Sequence, residues 1–139
     1  MTFWFIQIPG WLLFIYLVAT QCTAAVSYAF AERHGFQETA GEITEVGVAF
    51  FKGFAFADLV FYVPLLGAGL AAHALGAAWA PLVIGGALCV TIYWPIVCLR
   101  MALAARDAPG WHLKDEKLYW IILVPITLWA GAGLVIVSA

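Results

Sequence analysis

The chain has 139 residues, is 65% hydrophobic and 10% charged, and carries a formal net charge of −2. Soluble domains hold about 25% charged residues, so this composition cannot clothe a water-facing surface; one compact unit over residues 1–139 is expected. The small net charge and the lack of a basic cluster argue against a nucleic-acid partner.

The opening stretch MTFWFIQIPGWLL lacks the basic residues and the small-residue cleavage site of a secretory leader, and reads as retained. Crossing a bilayer takes about 20 apolar residues. The first charge-free run predicts a helix over 10–31. The connection after it, ERHGFQETAGEITE, is polar and acidic. Glu38, Glu42 and Glu45 read there as a solvated face, or as supplying an acid that folds back over the bundle. A second helix is expected over 46–74, charged only at Lys52, near its start, and at Asp58. The uncharged turn HALGAAWAP leads to a third helix over 78–104, and the charged turn RDAPGWHLKDEK to a fourth over 117–138.

These runs are continuous rather than alternating, and strands survive in lipid only as a closed barrel. The expected fold class is therefore all-α, an integral membrane four-helix bundle. Pro64, Pro95 and Pro125 interrupt the second, third and fourth helices, each removing a backbone hydrogen bond. Proline-kinked helices are expected, either opening a chamber or bending without one. All six basic residues fall at the first and third connections. The positive-inside rule puts those loops in the cytoplasm, for a protein of the bacterial inner membrane or the endoplasmic reticulum. Trp4, Trp11, Trp79, Trp111, Tyr119 and Trp120 read as interfacial aromatics. Cys22, Cys89 and Cys98 form no CxxC and read as buried small hydrophobes. The histidines fit no metal-ligand spacing and no GxSxG occurs, so no metal and no cofactor is expected.

Asp58 needs a reason. A rise of about 1.5 Å per residue puts it near the midplane, where inserting an Asp costs about 2.5–3.5 kcal/mol. The other helices offer polar residues at that depth: Gln21 on the first, Thr91 to Tyr93 on the third and Thr127 on the fourth. These form either one shared polar pocket or scattered interhelical bonds. Helical spacing groups Phe51, Phe54, Phe61, Tyr62 and Leu65 around the Asp58 face. An acid framed by rings suits a flat apolar ligand or a cation; the plain alternative is an Asp bonded only to a neighbouring helix.

The stretch AFFKGFAFADLVFYVPLL resembles the second helix of the sigma-2 receptor, a member of the EXPERA superfamily, which also holds the emopamil-binding sterol isomerase. The shared pattern is Phe51-Lys52, Phe54, Phe56, Asp58, Leu59-Val60-Phe61 and Pro64, with weaker support from WLLFIY in the first helix and TIYWPI in the third. The resemblance implies an EXPERA-like fold of four kinked helices around a lipid-accessible pocket for sterol-like or cationic amphiphilic ligands. Asp58 matches the family's pocket carboxylate, and Tyr62 and Pro64 match pocket-side positions. Two departures stand out. Tyr28 occupies the position of the receptor's amine-binding Asp. Thr20 and Ala24 occupy the positions of the isomerase's His and Glu, and neither can shuttle a proton.

Four functions follow as expectations. The first is a binding or carrier protein for a sterol-like, isoprenoid or cationic amphiphilic ligand in a pocket centred on Asp58. The candidate ligand-binding set is Asp58, Gln21, Tyr28, Phe54, Phe61, Tyr62, Thr91, Tyr93, Trp94 and Thr127. The second is a double-bond isomerase with protonated Asp58 as general acid and Trp94 steadying the cation; it lacks a nameable base. The third is a membrane assembly subunit, and the fourth a proton-coupled exporter working as a homodimer. The residues leave open whether the chain is an enzyme. Its expected partners are the bilayer and a lipid or sterol-like small molecule.

Overall fold

The structure is a computed structural model describing all residues, Met1–Ala139. It is all-helical: α1 (Thr2–Val26), α2 (Tyr28–Arg33), α3 (Glu45–Ala74), α4 (Ala80–Ala105) and α5 (Glu116–Ser138). The helices α1, α3, α4 and α5 are long and apolar enough to cross a membrane.

The first helix differs most from the expected 10–31. It starts at Thr2 and passes through Pro9. A proline frees the carbonyl four residues earlier. Here that carbonyl, Phe5 O, accepts the indole N–H of Trp129 from α5 at 2.8 Å, so the gap in the ladder is filled across the bundle. The helix then stops short. Ser27 is extended (φ −151°, ψ 100°), and its Oγ accepts the Phe30 N–H at 3.3 Å, capping α2. One small polar residue in an apolar run was enough to break it. The early start also places Trp11 well inside α1, where its N–H bonds Gln7 Oε1, and not at a span end.

Two turns are π-helical, Val18–Cys22 in α1 and Asp58–Tyr62 in α3, and they touch. The second sits directly before Pro64, with the Val63 N–H reaching back five residues to Asp58 O. The helices α4 and α5 continue through Pro95 and Pro125. A π-turn inserts one residue into a helix, which alone would slip its register against a neighbour. The two π-turns face each other, so the extra residue in α1 stands opposite the extra residue in α3. On the side of the α3–α4 turn Gln7 meets His73 and Gly10 meets Leu70; on the other side, past the extended Ser27, Tyr28 of α2 lies against Lys52.

The main core is Ile6, Leu13, Leu17, Tyr62, Val63, Leu66, Leu70, Ile84, Ala87, Leu88 and Ala130, on the side of the π-turns that holds the α3–α4 turn. Helices approach closely there. A Cβ on Gly69 would lie 3.0 Å from the backbone N and Cα of Ile84. Gln7, 4% exposed, is fully satisfied: Nε2 bonds Leu70 O (3.1 Å) and His73 Nδ1 (2.8 Å), while Oε1 accepts from Trp11 (2.8 Å). At the other end, residues 34–44 and 106–115 are stitched together. The His112 N–H donates to Glu42 O at 2.6 Å, Lys114 pairs with Glu42, and Trp111 packs with Tyr28, Ile43 and Phe51. Of the cysteines read as buried, Cys98 is buried, Cys22 half-buried and Cys89 exposed.

Candidate functional site

At the stitched end the helices leave a chamber of about 450 Å³. The α1 helix contributes Tyr16 and Gln21, α3 Phe51 and Phe54, α4 Trp94 and Cys98, and α5 Leu118, Tyr119, Ile122 and Leu123. The roof is the end of α2 and the loop after it, through Glu32, Gln37, Glu38 and Glu42, joined by Lys114 and Asp115. The walls are mainly apolar and aromatic. The roof holds four carboxylates and one lysine, and that lysine is already paired with Glu42.

The roof is held by specific bonds. The hydroxyl of Tyr28 donates to Glu38 O at 2.8 Å, and the hydroxyl of Tyr119 to Glu38 Oε1 at 3.0 Å. Glu32 Oε1 accepts the Ala40 N–H at 2.9 Å, and Gln37 Nε2 reaches down to Gln21 Oε1 at 3.4 Å. Burial raises the Glu38 carboxyl above its ordinary range; the Tyr119 hydrogen bond opposes this and the charge of Asp115 adds to it. Burial, then the charges of Glu32 and Glu38, push the Tyr28 phenol up to about 12, so it remains a donor. Glu38 and Glu42, read from sequence first as a solvated face, are both half-buried, and only Glu45 is exposed.

The sequence-named residues divide into three groups. Gln21, Phe54 and Trp94 line the chamber, and Tyr28 holds its roof. Thr91, Tyr62 and Thr127 are committed elsewhere. The Thr91 hydroxyl donates to Ala87 O at 2.8 Å, which leaves Tyr62 to donate to Thr91 Oγ1 at 2.6 Å. Thr127 bonds its own helix at Leu123 O. Phe61 and Tyr93, 60% and 65% exposed, face outward, which corrects their placement in the pocket. Both have geometric causes. The π-turn rotates less per residue than an α-turn and carries Phe61 off the Asp58 face. Tyr93 is two residues from the fully buried Thr91, about 200° around the helix, so a shared depth cannot turn both inward.

Asp58 is 4% exposed, and its Oδ2 is the one sealed side-chain nitrogen or oxygen without a hydrogen-bond partner. It does not line the chamber, which is centred nearer the stitched loops. Leaving such an atom unpaired costs about 1–3 kcal/mol, so this π-turn is a place where the fold gives up stability. Sequence reasoning missed Tyr16, Gln37 and Tyr119 as lining residues; for Glu38 and Glu42 the alternative of an acid folded back over the bundle is the one the structure shows. A loop has no periodicity from which the inward turn of Glu38 could be read. No His/Cys/Asp/Glu group could hold a metal ion. No protein-family model, curated protein or solved structure matches this chain.

Proposed function

We propose that the chain is an integral membrane protein that binds a cationic amphiphile in this chamber. The ligand's amine sits at the mouth among Glu32, Glu38 and Asp115, and its sterol-like or isoprenoid body lies against Phe51, Phe54, Trp94 and Leu123. The single observation that carries this reading is the chamber's polarity, rings and aliphatic side chains on its helical walls and a surplus of carboxylates in its roof. Its volume lies within the roughly 300–1,000 Å³ of small-molecule sites. A unit charge about 4 Å from a carboxylate gains about 4 kcal/mol at the effective dielectric of a protein surface, before desolvation. The EXPERA-like pattern over Phe51–Pro64 supports the same ligand class and a kinked bundle. In this reading the ion pair forms at the rim, while Asp58 remains a buried acid below the chamber. The positive-inside rule turns the rim toward the cytoplasm.

Saturation binding of a labelled polycyclic tertiary amine to the protein in nanodiscs tests the reading. The amine should bind saturably and about tenfold more tightly than its uncharged isostere. Equal binding of the two, or no saturable binding of the amine, overturns it.

A further inference from the structure

The two buried glutamines of α1 are used differently. Gln7, in the packed half, has both amide protons and its oxygen engaged. Gln21, 8% exposed, has only its oxygen engaged, by Gln37. Its amide nitrogen carries two donors and meets no acceptor in the protein, yet it is not sealed off, since Asp58 Oδ2 is the only sealed unpartnered atom. The neighbouring hydroxyls do not share this position. Thr20, Thr91 and Thr127 each donate to a carbonyl one turn back on their own helix, and Tyr62 donates to Thr91. A free amide donor therefore stands in the wall at the level of the π-turns; the helices also bring the Tyr16 and Tyr119 hydroxyls and the Cys98 thiol to the lining.

We propose that Gln21 recognises an acceptor oxygen at the inner end of the ligand. The ligand is then polar at both ends, a cation at the rim and a carbonyl-type oxygen at the π-turn level, with an apolar body between them. A simple fatty amine has nothing to offer Gln21 and leaves its donors unpaired.

This proposal rests on the amine reading of the rim, and its test separates the two. Two polycyclic amines are compared, identical except for a ketone or a methylene at the end far from nitrogen, on the wild type and on Gln21→Met in nanodiscs. The ketone amine should bind the wild type about tenfold more tightly than the methylene amine. That advantage should vanish in Gln21→Met, where the two amines should bind equally. Equal affinity of the two amines for the wild type overturns the role of Gln21 and leaves the rim reading standing, as does an advantage that survives Gln21→Met. Failure of both amines to bind overturns the rim reading itself. If Gln21→Met does not fold, the wild-type comparison decides alone.

Discussion

At the end of the bundle that carries Gln7 and His73, α3 and α4 meet glycine to backbone and the buried amide is saturated. At the other end the same helices are separated by a chamber, roofed by a loop in which the Tyr28 hydroxyl of α2 holds the Glu38 main-chain carbonyl and the Tyr119 hydroxyl of α5 holds the Glu38 carboxylate. The facing π-turns lie between the two ends. One set of helices thus packs solidly in one half and stands open in the other. What differs is where small residues allow contact and where Phe, Trp and Tyr hold the helices apart. Stability should reside in the first half and ligand recognition in the second.

The largest expected effect tests the boundary. Deleting Ala19 removes the extra residue from α1 alone, turning everything beyond it by about 100° against α3. The variant should fail to give a monodisperse folded protein in detergent. Deleting Val60 as well restores the match, so the pair should recover a folded protein by size exclusion and thermal melting. A pair no better than the single deletion would count against the matched-register account.

Overpacking tests the halves themselves. Gly69→Ile, against the Ile84 backbone, should destabilise by about 1–3 kcal/mol in a denaturation series. Leu123→Trp grows into the chamber and should leave the melting temperature nearly unchanged while abolishing amine binding. If both substitutions destabilise equally, the open half is no more open than the packed one.

A smaller effect is expected at Glu38. A bound ammonium favours the ionised carboxylate, so amine affinity should rise as pH rises through the elevated Glu38 titration. Without ligand the sign reverses. A carboxyl held above its ordinary range stabilises the fold while protonated, and that contribution is lost as pH rises through its folded value. Glu38→Gln should weaken amine binding about tenfold and flatten both profiles; an unchanged profile would remove Glu38 as the anchor. The smallest effect belongs to Lys114→Met, which loses a solvent-facing pair with Glu42 and should cost below about 1 kcal/mol of stability.

The four long helices were legible because length and hydropathy alone decide them. The inward position of Gln21 and the burial of Asp58 were legible because a polar group inside an apolar run has few other places to go. The outward turn of Phe61 was not, since an α-helical wheel assumes the rotation that the π-turn alters. The roof was legible only as one of two readings of the acidic loop. Glu38 faces inward because Tyr28 and Tyr119, distant in sequence, hold it there. The end of α1 turned on one serine, which hydropathy counts as a minor interruption and the backbone uses as a cap.

The matched π-turns have a consequence for the descent of this chain. A single inserted codon in either helix should be poorly tolerated, and two insertions at one level should be accommodated. Any relative that has lost the extra residue from α1 should also have lost it from α3, so that a gap opened in one helix of an alignment brings a second gap about forty positions downstream.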